Sequence, residues 1–276
     1  MSWGFQDVGS TTSYIGWIFL SEMLGSMLLV MLGNGVVAAV NLKTSKARGA
    51  GWSAIAIGWG LAVFVGAITS QYSGAHLNFA VTLSVLIQSA SNNVGNNPFA
   101  NGHQWLIVIY LVAQFTGMII GQLLLDLVYW LQIEKSDAGE VLGFHCTAPA
   151  QKERSKKTYA FNTFAEFMAT FVLVLGLGAA SLYTGTGHNF GSFNLPASSL
   201  IGVGIAMAVV AGVGYGLGGP TGFAINPTRD LAPRIVHHFL PLPNKGSSDW
   251  AYSWVPVVGP VLGGVVGGAL ILAMMH

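Results

Sequence analysis

The sequence predicts an all-α membrane protein with six transmembrane helices and two re-entrant half-helices in an inverted repeat. Three observations predict it. Of 276 residues, 53% are hydrophobic and only 8% charged, against about 25% charged in ordinary soluble domains. Six segments stay apolar for the roughly 20 residues that a hydrocarbon core of about 30 Å demands of a helix. Two shorter segments, each opening on asparagine, stand at matching places in the two halves of the chain.

The six spans are expected at about 14–40, 52–71, 104–131, 160–183, 198–218 and 251–275. Together they hold three acidic residues, Glu22, Asp126 and Glu166, and no Lys or Arg. Asp126 lies near the end of its span, where it can face the headgroups. Gly259, Gly263 and Gly267, with Gly264 and Gly268, and Gly117 and Gly121 in the third span, recur at small-xxx-small spacing. Such spacing permits close helix approach and speaks of packing rather than chemistry. No signal peptide is evident, because the stretch before the first apolar run lacks Lys and Arg, whereas secretory signals open on a basic region. The first span is expected to act as its own insertion signal.

The two short segments run from Asn78 to about Ala90 and from Asn226 to about Leu240. Asparagine is a favoured N-cap, its side-chain oxygen holding free amides of the first helical turn. Each segment follows a Gly-rich approach, Ser73-Gly74-Ala75 or Gly218-Gly219-Pro220-Thr221-Gly222. Segments this short are re-entrant rather than spanning. Non-helical backbone at membrane depth is tolerated only when buried in protein or lining a wet cavity, so the pair points to a pore.

The pair is also a repeat. Ser21-Glu22-Met23-Leu24-Gly25-Ser26-Met27-Leu28-Leu29-Val30 reads like Ala165-Glu166-Phe167-Met168-Ala169-Thr170-Phe171-Val172-Leu173-Val174, and Asn78-Phe79-Ala80-Val81-Thr82 mirrors Asn226-Pro227-Thr228-Arg229-Asp230. The interval from Glu22 to Asn78 is 56 residues and that from Glu166 to Asn226 is 60. Three spans per half make the second half enter from the opposite side, and broken segments at matching places locate the conduction path. Residues 1–276 thus read as a single transmembrane channel domain, with repeats at approximately 1–131 and 160–276 joined by 132–159. That connection holds much of the charge, including Glu134, Lys135, Asp137, Glu140 and the run Lys152-Glu153-Arg154-Ser155-Lys156-Lys157. It reads as a solvated loop, with lipid headgroups as an alternative role for its basic run.

Formal net charge is +1, so nothing suggests a nucleic-acid partner or an acidic substrate. The single cysteine, Cys146, excludes an intrachain disulfide framework and reads as an ordinary thiol in a polar loop. There is no metal-ligand cluster, nucleophile motif or phosphate loop, and His237-His238 alone is a weak signal. Neither enzyme activity nor a cofactor or metal is expected.

Ser73-Gly74-Ala75-His76-Leu77-Asn78, followed by Gly222-Phe223-Ala224-Ile225-Asn226-Pro227-Thr228-Arg229-Asp230, resembles the paired signature of the aquaporin superfamily (major intrinsic proteins). The likeness covers nearly the whole chain. Asp230 directly after Arg229 resembles the aquaglyceroporin, or glycerol uptake facilitator, branch, as does Pro256-Val257 in place of the aromatics usual in water-selective members. The resemblance implies an aquaporin-like fold and a passive channel for glycerol and other small uncharged polar solutes, with some water permeability. It also implies a homotetramer with one pore per protomer, embedded among the lipids of a cell membrane, bacterial by its natural setting.

A polyol leaving water loses several kcal/mol for every hydroxyl that is not hydrogen-bonded again. By resemblance, carbonyls of Gly74, Ala75 and His76 on one side and Gly222, Phe223 and Ala224 on the other meet that need. Asn78 and Asn226 meet at mid-membrane, each presenting an amide NH₂. The constriction combines Arg229, Phe223 and Trp59, with Gly214 as the small position that keeps it open. Glu22 and Glu166 brace the re-entrant loops by accepting from backbone amides. The residues by themselves also admit plain N-caps for the asparagines, an interface anchor for Trp59 and a proton relay for the two acids.

The chain departs from the family pattern at three points. Phe79 stands where proline is usual, Thr228 stands where alanine is usual, and the interval from Trp59 to Asn78 is one residue short, which places a deletion near Thr69–Tyr72. Orientation is contested as well. All eleven Lys and Arg fall within 41–51, 132–159 and 226–250, on one side of a six-span topology. Counting positive charge makes that side cytoplasmic, whereas the resemblance puts both termini in the cytoplasm. Alternative functions are a facilitator for another hydroxylated metabolite such as undissociated lactic acid, a mainly water-selective channel, or a proton-coupled secondary transporter working through Glu22 or Glu166.

Overall fold

The structure, a computed structural model, describes residues 12–91, 97–100, 102–151, 153–185 and 200–275. Every regular element among them is helical: α1 (Thr12–Asn41), α2 (Trp52–Thr69), α3 (Phe79–Gln88), α4 (Leu106–Val128), α5 (Trp130–Ile133), α6 (Ala138–His145), α7 (Lys156–Gly185), α8 (Leu200–Leu217), α9 (Pro227–Phe239) and α10 (Val255–Met274). Six of these, α1, α2, α4, α7, α8 and α10, are long and apolar enough to cross a bilayer. Helix is the form a lone apolar segment can take in lipid, because it satisfies its own backbone. Pro256 falls in the first turn of α10, where the missing N–H was unpaired anyway.

Boundaries differ from the sequence expectation by a few residues. The span expected at 104–131 stops at Val128 and resumes as the short α5, and α7 starts already at Lys156. After α2 the chain turns back through a single 3₁₀ turn, Gln71–Ser73, across the place where the family pattern implies a deletion.

The two halves make the same packing choices. Helix α1 packs against α2 and α4, and α7 packs against α8 and α10, while α2 meets α8 between the halves. Each half-helix crosses over, α3 lying against α10 and α9 against α4. The glycine stripes make these approaches possible. A Cβ on Gly117 would lie 2.1 Å from the Met23 carbonyl oxygen, one on Gly263 2.5 Å from that of Phe167, and one on Gly264 2.6 Å from that of Ala80.

The connecting segment corrects three sequence readings. It is not simply a solvated loop: α6 folds back on α1 and α9 and buries Val141, Phe144 and His145. Its start is held by Glu140, which accepts from the Asp137 N–H at 2.9 Å. Asp126 therefore does not face headgroups. It is fully buried under α6, accepts from Gln122 Nε2 at 2.9 Å and lies 3.0 Å from His145 Nε2. Asn34 completes this cluster, donating to Gln122 Oε1 and to the His145 carbonyl. Cys146 is buried too, and burial pushes its thiol well above the ordinary range, away from the reactive thiolate.

Ion pairs gather the three basic stretches on one face. Lys43 pairs with Asp137 and Arg48 with Glu140, each at 2.8 Å, and Arg154 pairs with Asp249 at 2.8 Å. Partly exposed pairs contribute only about 0–1 kcal/mol each, so what they report is placement. The packing itself can be tested with two alanines. Gly117→Ala is expected to destabilise by about 1–3 kcal/mol and to lower the thermal midpoint in detergent. Gly204→Ala, whose Cβ meets nothing within 4 Å, is expected to leave it unchanged. Equal midpoints for the two variants would contradict the close approach.

Candidate functional site

The half-helices α3 and α9 begin at Asn78 and Asn226, both in extended backbone. Asn78 Oδ1 accepts from the Ala80 N–H at 2.8 Å, and Asn226 Oδ1 accepts from the Thr228 and Arg229 N–H groups at 3.1 and 3.3 Å. Capping is only half of what they do. Asn78 Nδ2 donates to the Ile225 carbonyl and Asn226 Nδ2 to the Leu77 carbonyl, each at 2.8 Å. Each asparagine thus ties itself to the residue preceding the other, and each NH₂ keeps a second hydrogen.

The approaches to these caps repeat one conformation. Gly74, Ala75 and Leu77 have φ of 78°, 55° and 53°, and Gly222, Phe223 and Ile225 have 87°, 41° and 45°. The left-handed region costs about 1–2 kcal/mol for each residue with a Cβ, so four such residues need a strong counterweight. Glu22 accepts from the His76 and Leu77 amides, from the Ser73 hydroxyl and from Gln114 Nε2. Glu166 accepts from the Ala224 and Ile225 amides at 2.9 and 2.8 Å and from the Thr221 hydroxyl. Apart from the two hydroxyls, these partners are obligate donors, the four amides and the Gln114 NH₂, and the carboxyl groups accept from them. Ser73 and Thr221 add a further tie, their oxygens accepting from the Ala75 and Phe223 amides at 3.2 Å. Sequence reasoning named the two acids and missed these hydroxyls, although each stands five residues before its asparagine. It also missed Gln114, whose signal was a polar side chain inside an apolar span.

Beyond the asparagines lies a narrow aromatic corner. The Arg229 guanidinium carbon sits 4.2 Å from the centre of the Trp59 ring, and Trp59 meets Phe223 edge-on at 6.4 Å and 77°. Trp59 is only 4% exposed, so it is not an interface anchor, and it reaches Arg229 despite the shortened interval. Gly214 touches the Phe223 ring, from which a Cβ would be 3.0 Å. Arg229 Nη1 and Trp59 Nε1 are buried donors with no acceptor among the described residues.

A cavity of about 310 Å³ runs along these groups. Asn78, Asn226, Trp59, Phe223 and Arg229 line it, as do Gly74, Ala75, His76 and Ala224. Gly222 does not line it and lies toward Thr147 of the connecting segment instead. The remaining wall is mostly apolar, with Leu29, Val63, Val81, Leu173 and Val203 among its residues and Ser181 as a polar exception.

The departures from the family pattern fall outside this passage. Phe79 takes the first position of α3 without displacing the Asn78 cap, and its side chain is not in the cavity wall. The Thr228 hydroxyl is fully buried and donates to Asn226 Oδ1 at 2.7 Å, with Gln114 Oε1 at 3.4 Å. Gln114 Nε2 in turn reaches Glu22 and, at 3.0 Å, Thr82 Oγ1. Asp230 also points away from the cavity. It accepts from the Thr147 N–H and hydroxyl and from Arg234 Nε and Nη2, and Arg234 donates onward to the Ser248 and Thr147 carbonyls.

The model of the major intrinsic protein family matches residues 11–271. The chain is 41% identical over 244 residues to a glycerol uptake facilitator protein of Streptococcus pneumoniae, covering 86% of this chain and 91% of that one. It is 43% identical over 242 residues to glycerol uptake facilitator protein 3 of Lactiplantibacillus plantarum, covering 87% and 89%. Among solved structures, the aquaglyceroporin from Plasmodium falciparum superposes with a TM-score of 0.73 at 27% identity, covering 93% of this chain and 95% of that chain.

The buried pair behind α9 provides a direct check on how this site is held. Asp230→Asn leaves the fully buried Arg234 without its anion, which is expected to destabilise by about 3–5 kcal/mol. Thermal unfolding in detergent measures this, and an unchanged midpoint would mean that the pair does not hold the connecting segment to α9.

Proposed function

The chain belongs to the major intrinsic protein family, and on that premise we propose that it is a passive channel for glycerol and similar small uncharged polyols, with water as a co-permeant. The observation that carries this reading is the alignment of both asparagine amides and the Arg229, Trp59 and Phe223 corner along one continuous cavity. The bacterial relatives bearing the name glycerol uptake facilitator support it.

In this reading a polyol presents its CH face to Trp59 and Phe223 and its hydroxyls to Arg229 Nη1 and Trp59 Nε1. Water is exchanged for protein donors group by group, so desolvation is offset at each step. Past the constriction, carbonyls approaching Asn78 and Asn226 accept from the hydroxyls, and the two carboxamides donate to their oxygens. The N-termini of α3 and α9 aim positive potential at the same point, which together with Arg229 repels cations. Glu22 and Glu166 are scaffold groups here, with no part in proton coupling. Residues 1–276 act as one channel domain of two inverted repeats, four copies assemble with one pore each, and the outward apolar side chains such as Trp17, Leu127 and Phe161 meet lipid or neighbouring copies. Both termini lie in the cytoplasm, which turns the basic face outward.

Stopped-flow light scattering on proteoliposomes tests the conduction. Glycerol flux well above empty liposomes, indifferent to a collapsed proton gradient and altered by Arg229→Ala, is the expected outcome. Fast water flux without glycerol flux would place the chain among water channels. If Glu166→Gln kept fold and assembly yet selectively abolished gradient-driven uptake, the scaffold role would be wrong. Protease added to intact cells is expected to cut within 132–159, and cutting only after lysis would reverse the orientation.

A further inference from the structure

The width of the constriction depends on where the Phe223 ring stands, and that ring is enclosed on several sides. Trp59 meets one edge. A second indole, that of Trp52, meets it edge-on at 5.6 Å and 78°. Two glycines complete the enclosure: a Cβ on Gly214 would be 3.0 Å from the ring, and one on Gly218 would be 2.6 Å from Phe223 and 2.7 Å from Trp52. Trp52 is itself pinned, its Nε1–H donating to the Gly214 carbonyl at 2.9 Å. That carbonyl lies in the last turn of α8, where backbone oxygens run out of intrahelical donors. The first residue of α2 thus closes the open end of α8 and wedges the ring that α8 supports.

We propose that Trp52 is a positioning residue for selectivity: by holding Phe223 toward Trp59 it sets the largest polyol that the channel admits. Trp52 is not among the residues that line the cavity; it acts through Phe223. The inference rests on the channel reading above. The competing role for a tryptophan that opens a span and is 39% exposed is an anchor at the membrane interface. An anchor needs neither a bond to the carbonyl of another helix nor an edge contact with a constriction ring.

The experiment compares wild type, Trp52→Ala and Trp52→Phe in proteoliposomes, reading permeability to glycerol and to a longer linear polyol, xylitol, normalised to reconstituted protein. Trp52→Ala is expected to raise the xylitol-to-glycerol ratio roughly two- to tenfold, the span that one aromatic pair can set. Trp52→Phe keeps a ring edge and loses the donor, and its ratio is expected to fall between the two. An anchor changes all fluxes together, so an unmoved ratio in both variants overturns the proposal. Should Trp52→Ala fail to fold, Trp52→Phe decides alone: a raised ratio supports the proposal and an unmoved one overturns it. A wild type that carries no polyol sinks the channel reading and this inference with it, whereas a conducting wild type with unmoved ratios sinks this inference only.

Discussion

Backbone that leaves the helix at membrane depth must find partners for its N–H and C=O groups, since no water is there to supply them. This chain leaves the helix twice, on the approaches to Asn78 and Asn226, and most of the structure follows from how those two stretches are satisfied. The amides turn outward to Glu22 and Glu166 on the neighbouring spans. Two carbonyls, those of Leu77 and Ile225, are taken by the asparagine of the opposite half. Ala75, His76 and Ala224 lie along the cavity. A conduction path and a satisfied backbone are in this sense one solution, reached once and used twice.

The same constraint explains which substitutions the site absorbs. Proline at the first turn of a half-helix removes a donor that had no partner, so a residue that keeps its donor there, such as Phe79, loses rigidity without losing the cap. Thr228 introduces a hydroxyl into a fully buried place, which is tolerable only with an acceptor at hand. Asn226 Oδ1 is that acceptor, and it was already oriented inward by the Thr228 and Arg229 amides. The added bond locks a carboxamide whose other end faces the passage. Asp230 illustrates the opposite case. It sits beside Arg229 in sequence, yet one step along a helix turns it away from the cavity and onto Arg234 and Thr147. There it ties Thr147 of the connecting segment to α9.

Much of this molecule is legible in its amino-acid sequence for a physical reason: lipid forbids most alternatives. A run of apolar residues in a bilayer has to be a helix that satisfies itself, so counting spans needs only composition and length, and α1, α2, α4, α7, α8 and α10 fall where hydropathy puts them. Asparagine caps, the paired glutamates and the repeat are local or periodic signals, and they point to residues that meet in the fold. What distance along the chain does not encode is left to packing. Nothing local distinguishes Asp126 near the end of its span from a residue facing headgroups; the fold-back of α6 buries it, and buries Cys146 with it. The interval between Trp59 and Asn78 is one residue shorter than the family pattern, and only the fold, with its turn at Gln71–Ser73 and the crossing of α2 and α8, shows Trp59 beside Arg229 and Phe223.

Trp52, Ser73, Thr221 and Gln114 acquire their partners only through contacts between helices far apart in sequence. Composition and period by themselves determined which segments enter the membrane and where they break. Which side chains meet at the breaks was decided by helix crossings set by many weak contacts at once, and no single stretch of sequence contains them.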